Sequence, residues 1–215
     1  GIPDFRSPGG VWDKFKPVNF QDFMDSKEMR RETWRRKIET DKTMKVAEPN
    51  RGHRAVEKLV REGKCSAVIT QNIDGLHQAS GVPDERVIEL HGNSTYATCL
   101  DCGERHELAE ILAPFKRDET LPACKNCGSP YVKTATISFG QQMPEDAMRA
   151  AEIETMACDL LIAIGSSLVV YPAAGFPLIA KRNGAKYAIL NRDETEHDSY
   201  ADLVVNDEIG YVLGD

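Results

Sequence analysis

The sequence contains no long hydrophobic run, which argues against a membrane-spanning protein. No apolar stretch approaches the roughly 20 residues that a transmembrane helix requires, and nothing in the chain resembles a secretory signal. The net charge of −7 lacks the basic excess that is usual in nucleic-acid-binding proteins. We therefore expect a cytoplasmic protein that binds neither a membrane nor nucleic acid directly.

The chain also lacks internal repeats, low-complexity tracts and an initiator methionine. Its 215 residues suffice for one hydrophobic core with a small additional module. A hydrophobic content of 41% and a charged content of 28% are typical of soluble globular proteins. Because the first residues are Gly1-Ile2-Pro3-Asp4, we expect a fragment from which an earlier segment is absent.

Short apolar runs alternate with helical patterns along most of the chain. An amphipathic helix is predicted after Asn50, and two more are predicted from Pro144 to about Ala157 and from Pro172 to Arg182. Strands alternating with helices predict an α/β fold with a doubly wound parallel (Rossmann-like) sheet. The predicted strands lie at residues 65–70, 86–90, 134–139, 159–165, 186–190 and 201–205.

Four of the six cysteines form two C-x-x-C pairs, Cys99 with Cys102 and Cys124 with Cys127. Each pair brings two thiolates onto one turn, and two such turns supply the four sulfurs of a tetrahedral zinc site. Four sulfurs close the coordination shell, so the predicted zinc is structural. We predict an inserted zinc-ribbon module at residues 93–133, within a nucleotide-binding domain at residues 1–92 and 134–215. The two remaining cysteines, Cys65 and Cys158, are predicted to be buried thiols.

Polar residues follow two predicted strands. Gln71, Asn72 and Asp74 come after the first strand, and His91 follows the second. In an open α/β sheet the carboxyl ends of the strands form the ligand site, and histidine acts as a base near neutral pH. The alternative is an ordinary turn with a structural histidine, since Asn, Asp and Gly all favour turns.

A second polar group follows two later strands, with Gly165-Ser166-Ser167 after one and Asn191-Arg192-Asp193 after the next. Small hydroxyls, an amide and a carboxylate at successive strand ends suit the ribose hydroxyls of a nucleotide. No G-x-G-x-x-G turn is present in the sequence. Taken alone, this pattern fits ordinary loops equally well.

Together these motifs resemble the sirtuins, the NAD-dependent protein lysine deacylases. The motifs occur in the order of that family and extend over nearly the whole chain. They are Gly1–Arg6, Thr70–His77, His91-Gly92, the four paired cysteines, Phe139-Gly140, Gly165–Leu168 and Asn191–Asp193.

The resemblance implies that NAD and an acyl-lysine peptide meet in a cleft between the nucleotide-binding sheet and the zinc module. It implies that His91 is the general base toward an NAD ribose hydroxyl, and that Asn72 and Asp74 orient the nicotinamide end. Nicotinamide would leave as the acyl oxygen attacks, giving free lysine and O-acyl-ADP-ribose. The implied NAD-binding set is Asp4, Phe5, Arg6, Gln71, Asn72, Ile73, Asp74, Gly165, Ser166, Ser167, Asn191, Arg192, Asp193 and Ile209.

The chain departs from the family pattern in its first residues and in its substrate strand. The strand and Gly-rich turn that precede Gly1–Arg6 in the family are absent, and Gln141 stands where the family usually has Glu. Family members that prefer succinyl or malonyl groups carry Tyr and Arg three positions apart. The nearest equivalents here are Trp34 and Lys37, so we expect neutral acyl groups to be preferred.

Two other functions remain open at this point. Mono-ADP-ribosyl transfer would use the same NAD cleavage with another nucleophile. A non-catalytic binding module, in which the zinc region and the sheet edge dock a partner, would have no use for His91 beside Asn72 and Asp74.

Overall fold

The computed structural model describes residues 17–214, so the predicted sites at Asp4, Phe5 and Arg6 lie outside it. Within this range no helix has the length and apolarity needed to cross a membrane. The helices are α1 (Phe20–Asp25), α2 (Lys27–Met44), α3 (Arg51–Arg61), α4 (Leu76–Ala79), α5 (Leu108–Asp118), α6 (Glu145–Ala157), α7 (Gly175–Arg182) and α8 (Ile209–Val212). The strands are β1 (Val68–Thr70), β2 (Val87–Glu89), β3 (Gly92–Cys99), β4 (Arg105–Glu107), β5 (Val132–Thr136), β6 (Leu160–Ile164), β7 (Lys186–Leu190) and β8 (Leu203–Val205).

The chain divides into two compact units. The first contains the described residues up to Glu48, together with Asn72–Gly75 and His91–Met143. It therefore includes the predicted zinc module along with α1 and α2. The second contains Pro49–Gln71, Leu76–Leu90 and the described residues from Pro144 onward.

The first unit is built on an antiparallel sheet in the order β4-β3-β5. Its core is formed by the inward faces of this sheet, α2 and α5. Trp34 of α2 is 1% exposed and packs into this cluster. The other buried members are Ala97, Cys99, Leu108, Ile111, Leu112, Phe115, Cys124 and Val132.

The second unit contains the parallel strands that the sequence predicts. In the described chain they form two hydrogen-bonded groups, β1-β2 and β6-β7-β8. Helix α3 begins where predicted, because Asn50 and His53 form a reciprocal capping box. The turn after it contains Gly63 with a φ of +71°, a conformation that glycine adopts without strain.

Several predictions from the sequence are wrong in detail. The strands predicted at 65–70, 86–90 and 201–205 are shorter, at Val68–Thr70, Val87–Glu89 and Leu203–Val205, and α7 begins at Gly175 rather than at Pro172. The strand predicted at 134–139 is instead Val132–Thr136, because the chain turns after Ile137, where the Gln141 side chain accepts a hydrogen bond from the Ser138 amide at 3.1 Å. Cys65 and Cys158 are half-buried rather than buried. Both lie in the short connections that lead into β1 and β6, where each thiol donates to a backbone carbonyl at 3.2 Å, Cys65 to Ala67 and Cys158 to Thr155.

Lys133 is a cation in the interior of the first unit. It lies in the middle of β5 and is only 1% exposed. Its ammonium group donates to the carbonyls of Thr134 (3.2 Å) and Thr136 and to the Gln141 side-chain oxygen (3.4 Å). All of these partners are neutral oxygens, and burial lowers the pKa of Lys133 to about 8.

The buried ammonium predicts a specific pH dependence of stability. The pKa of Lys133 is about 8 in the folded chain, against 10.5 for an ordinary lysine. Between these values the unfolded chain binds more protons than the folded chain, so the free energy of unfolding rises with pH in this window. Below the window the full cost of burying the charged ammonium is present. We expect the free energy of unfolding of the wild type to rise relative to that of K133M by up to about 1.4 kcal/mol per pH unit between pH 8 and 10.

Urea denaturation at several pH values measures this difference. K116M, which removes an exposed lysine, is the matched control and should show the pH dependence of the wild type. Parallel pH profiles for the wild type and K133M would contradict the prediction.

Candidate functional site

The four paired cysteines lie at two turns of the same design. In each turn the amide of the following glycine, Gly103 or Gly128, donates to the carbonyl of the first cysteine at 2.9 Å. The two glycines have φ values of +73° and +75°, which a residue with a Cβ adopts only at a cost. This geometry explains why a glycine directly follows each pair in the sequence.

The two turns bring the four sulfur atoms within 4.8 Å of one another. Cys99 and Cys127 are 3.6 Å apart at sulfur, and so are Cys102 and Cys124. Tetrahedral zinc with bonds of 2.3 Å separates its sulfurs by about 3.8 Å. Burial disfavours the thiolate of Cys124, but the backbone amides of Cys127 and Asn126 donate to it, and the net effect lowers its pKa to about 6. The Ser129 backbone amide lowers the pKa of Cys127, but hydrogen bonds to the other cysteines and burial together raise that pKa to about 12, so the assignment of the metal rests on the sulfur geometry. The cluster therefore fits the predicted structural zinc ion.

The first unit also holds the predicted catalytic residues Asn72, Asp74 and His91. The carbonyl of Ile73 accepts the Ser94 amide at 2.8 Å, which fixes the loop between Asn72 and Asp74 against the start of β3. Gly75 ends this loop with a φ of +71° and packs against Thr95.

His91 is fixed through its backbone by β5. Its carbonyl accepts the Ile137 amide at 2.9 Å. A Cβ on the next residue, Gly92, would lie 1.9 Å from the Ala135 carbonyl oxygen, so only glycine fits there. The His91 ring is half-buried, which suits a group that must exchange a proton with a bound molecule.

Asn93 is a buried residue beside the candidate site that the sequence analysis did not single out. It is 5% exposed, and its side-chain oxygen accepts both the amide (2.8 Å) and the hydroxyl (2.7 Å) of Thr95. Asn93 therefore fixes the conformation of residues 93–95 at the start of β3. Ser94 in this segment is the residue that bonds to the loop. The available signal was an amide side chain directly after His91-Gly92, at the start of a strand.

The second unit brings the two predicted nucleotide loops to one sheet edge. Strands β6 and β7 are parallel neighbours, and the Gly165 amide donates to the Leu190 carbonyl at 2.9 Å. Ser166 accepts the Leu168 amide through its hydroxyl at 3.2 Å, and the Asn191 side chain donates to the Asp193 carbonyl at 2.7 Å. Ser167, Arg192 and Asp193 are exposed, and Gln71 lies in the same unit after β1.

Ile209 lies between two glycines in this unit. A Cβ at Gly165 would be 2.8 Å from the Ile209 Cδ1, and a Cβ at Gly52 would be 2.9 Å from its Cγ2. Both distances are too short for real contacts, so the two glycines admit the Ile209 side chain beside the predicted ribose loop. Gly52 was not predicted as a site residue, because its role depends on a residue far away in the sequence.

Trp34 and Lys37 do not have the role expected for them in acyl selection. Trp34 lies in the core of the first unit, and Lys37 is 8% exposed with its ammonium group bonded to Asp41 and to the Ser94 carbonyl. The spacing of Trp34 and Lys37 matched a selectivity motif, whereas their burial shows a structural function.

Comparison with known proteins places the chain among one group of enzymes. The Sir2 family profile matches residues 1–172. The chain is 56% identical over 214 residues to NAD-dependent protein deacetylase 1 of Bradyrhizobium diazoefficiens, which covers 100% of this chain and 84% of that protein. A solved Sir2 complex with a p53 peptide and NAD+ has a TM-score of 0.85 at 36% identity and covers 99% of this chain and 84% of that one.

A second solved structure, of Sir2 with a deacetylated p53 peptide and 3'-O-acetyl ADP ribose, has a TM-score of 0.87 at 36% identity. It covers 99% of this chain and 85% of that one. These likenesses confirm the family resemblance and the Rossmann-like fold with a zinc-ribbon module that the sequence predicts. They compare whole chains, so the roles assigned to individual residues stay predictions.

We expect one tightly bound zinc ion per chain. Replacing Cys102 with Ser should abolish zinc binding and unfold the β3–β5 region, because a structural zinc site contributes its binding free energy directly to folding. Elemental analysis of the purified protein, together with thermal denaturation, measures both effects. C158S, which removes a thiol outside the cluster, is the control and should keep its zinc. A protein without zinc, or one with a disulfide within either pair, would overturn the assignment.

The contact of Gly165 with Ile209 gives a second prediction. G165A should weaken NAD binding about tenfold or more, because the added methyl group displaces Ile209 or the loop. A tenfold loss of affinity corresponds to about 1.4 kcal/mol of binding free energy. G63A is the matched control, because Gly63 also has a positive φ but has no atom within 4 Å of the position that a Cβ would take. Both variants should lose about 1–2 kcal/mol of stability through backbone strain.

Calorimetric titration with NAD separates the two variants. Truncating Ile209 removes the clash, so the double variant G165A/I209A should bind NAD about as well as I209A alone. Equal NAD affinity for G165A and G63A would show that this contact has no part in the site.

Proposed function

This chain belongs to the Sir2 family, and from that premise we propose that it is an NAD-dependent protein deacylase that acts foremost on acetylated lysine. The observation that carries the proposal is that His91 and the Asn72–Asp74 loop are both fixed around the first residues of β3. The loop is bonded to Ser94, and His91 directly precedes Gly92. Docking alone does not require a histidine and an amide-carboxylate loop held on one strand.

NAD supplies an electrophilic ribose carbon with nicotinamide as its leaving group. The residues of this chain then have three tasks, which are to orient the ribose, to exclude water and to accept a proton. Asn72 and Asp74 orient the nicotinamide end through amide and carboxylate groups. His91, as a neutral imidazole, accepts the proton of a ribose hydroxyl.

The adenosine end is held by the second unit in this proposal. Gly165 allows Ile209 to pack directly against the backbone of this loop, because a Cβ at residue 165 would lie 2.8 Å from the Ile209 Cδ1. Ser166, Ser167, Asn191 and Asp193 offer hydroxyl, amide and carboxylate groups for the ribose. The structural zinc takes no part in the chemistry, since four thiolates leave no coordination position for a substrate.

The proposed partners are acylated lysine side chains of other proteins. The preference among acyl groups no longer depends on Trp34 and Lys37, both of which are buried. Matched acetyl, propionyl and succinyl peptides therefore belong in the same assay. A cytoplasmic location stays an expectation from the sequence.

Mass spectrometry of an acetyl-lysine peptide incubated with the protein tests the function. With NAD present we expect a peptide lighter by one acetyl group, together with nicotinamide and O-acetyl-ADP-ribose, and no reaction without NAD. ADP-ribosylated protein with an intact acetyl-lysine would identify the alternative activity, mono-ADP-ribosyl transfer. NAD left uncleaved in the presence of peptide would contradict both.

In the same assay, H91A should lower turnover by about 10²–10⁴-fold, the usual effect of removing a general base. NAD binding measured by calorimetry should persist, because the backbone contacts of residue 91 do not depend on its side chain. A variant that turns over at the wild-type rate would mean that His91 is structural.

A further inference from the structure

A buried ion pair lies on the inner side of α2. Lys37 and Asp41 are 8% and 6% exposed, and the Lys37 ammonium donates to one Asp41 carboxylate oxygen. The other oxygen of Asp41 lies 3.5 Å from the Lys45 ammonium. Burial lowers the pKa of Lys37, and the carboxylate of Asp41 opposes this shift. The two charges therefore support each other in a place where an isolated charge is costly.

The Lys37 ammonium has a second partner on β3. It donates to the Ser94 carbonyl at 2.6 Å, across 57 residues of sequence. The Ser94 hydroxyl in turn donates to the Met44 sulfur at 3.9 Å. Two residues of α2 thus hold Ser94 from its carbonyl and from its side chain.

Ser94 is also the residue that fixes the predicted catalytic loop. Its amide donates to the Ile73 carbonyl at 2.8 Å, and Ile73 lies between Asn72 and Asp74. The Ser94 carbonyl therefore accepts a hydrogen bond from α2, and the Ser94 amide donates one to the loop. If Ser94 is displaced, the amide that bonds to the Ile73 carbonyl is displaced with it.

Stability alone does not account for this pair. Apolar residues of similar volume often stabilise a protein as well as a buried ion pair does, or better. What apolar residues cannot supply is a directional donor to the Ser94 carbonyl. A charge-assisted hydrogen bond has a defined length and direction, and these are the properties needed to hold a reactive loop to within a fraction of an ångström.

We propose that Lys37 and Asp41 are a positioning pair for the Asn72–Asp74 loop, with Asp41 orienting Lys37 and Lys37 holding Ser94. This inference rests on the proposed function, because it assigns the loop to catalysis. Lys37 and Asp41 touch neither NAD nor peptide in this account. Their effect reaches the reaction only through Ser94 and Ile73.

The double variant K37M/D41L tests the proposal. It removes both charges at similar volume, so no unpaired charge stays buried and the fold should persist, with a thermal midpoint lowered only by the loss of the Lys37 donor to the Ser94 carbonyl. We expect kcat for NAD-dependent deacetylation to fall about 10- to 100-fold, as for other small displacements of reacting groups, with little change in the KM for peptide. The matched control is K42M/E39L, which removes an exposed ion pair of 2.6 Å from the same helix, and it should keep the wild-type kcat.

Hydrogen exchange of the Ser94 amide, measured without NAD or peptide, gives a readout that does not depend on activity. It should become faster in K37M/D41L and stay unchanged in K42M/E39L. A folded K37M/D41L variant with wild-type kcat and wild-type exchange at Ser94 would overturn the proposal, as would a loss of kcat without a change in exchange. If the double variant does not fold, K37M replaces it, since Asp41 keeps Lys45 as an ion-pair partner at 3.5 Å while the donor to Ser94 is removed, and the same two changes are expected.

The two readouts also separate this proposal from the proposed function. A wild-type protein without deacylase activity would contradict the proposed function, while faster exchange at Ser94 in K37M/D41L would still show that the pair holds the loop. Deacylase activity in the wild type with no effect of K37M/D41L on either readout would retain the function and refute the positioning pair.

Discussion

The first unit depends on the close contact between the backbone of Gly92 and the carbonyl oxygen of Ala135. A methyl group at residue 92 would lie 1.9 Å from that oxygen, so the approach of β3 to β5 is possible only without a side chain. The contact sets the position of β3 at the end where His91 enters and Ser94 follows. At its other end the same strand delivers Cys99 to the sulfur cluster. One strand of eight residues therefore connects the predicted catalytic residues to the structural metal site.

The metal and the chemistry are thus connected through backbone geometry rather than through a shared ligand. Cys99 of β3 lies opposite Val132 of β5, and Gly92 of β3 lies opposite Thr136 of β5. The register of this pair shifts between Gly92 and Ala97. The same two strands still reach both places, so a zinc ion bound at one end limits the movement of the other end. This arrangement gives a closed, non-catalytic zinc site a physical reason to be part of an enzyme.

Much of the fold could be predicted because its signals are local. The capping box of α3, the strand at 186–190 and the two C-x-x-C turns are each specified by residues within a few positions of one another. The contacts of Lys37, Lys133 and Ile209 could not be predicted in this way. Their partners are the carbonyl of Ser94, the side chain of Gln141 and the glycines at 52 and 165. Such contacts depend on how segments pack in the folded chain. Local patterns in a single sequence do not show which segments pack together.

The burial of Lys133 has a consequence for acylation of the chain itself. An amine with a pKa of about 8 is a better nucleophile at neutral pH than an ordinary lysine, because a larger fraction of it is unprotonated. In the folded protein its position inside β5 keeps reactive acyl donors away from it. In the unfolded chain the amine is accessible but has the ordinary pKa of a lysine, and an acylated Lys133 would not fit the folded site, where the side chain is 1% exposed. Acylation of Lys133 before folding would therefore oppose the folding of the first unit, and removal of the acyl group from the unfolded chain would restore it.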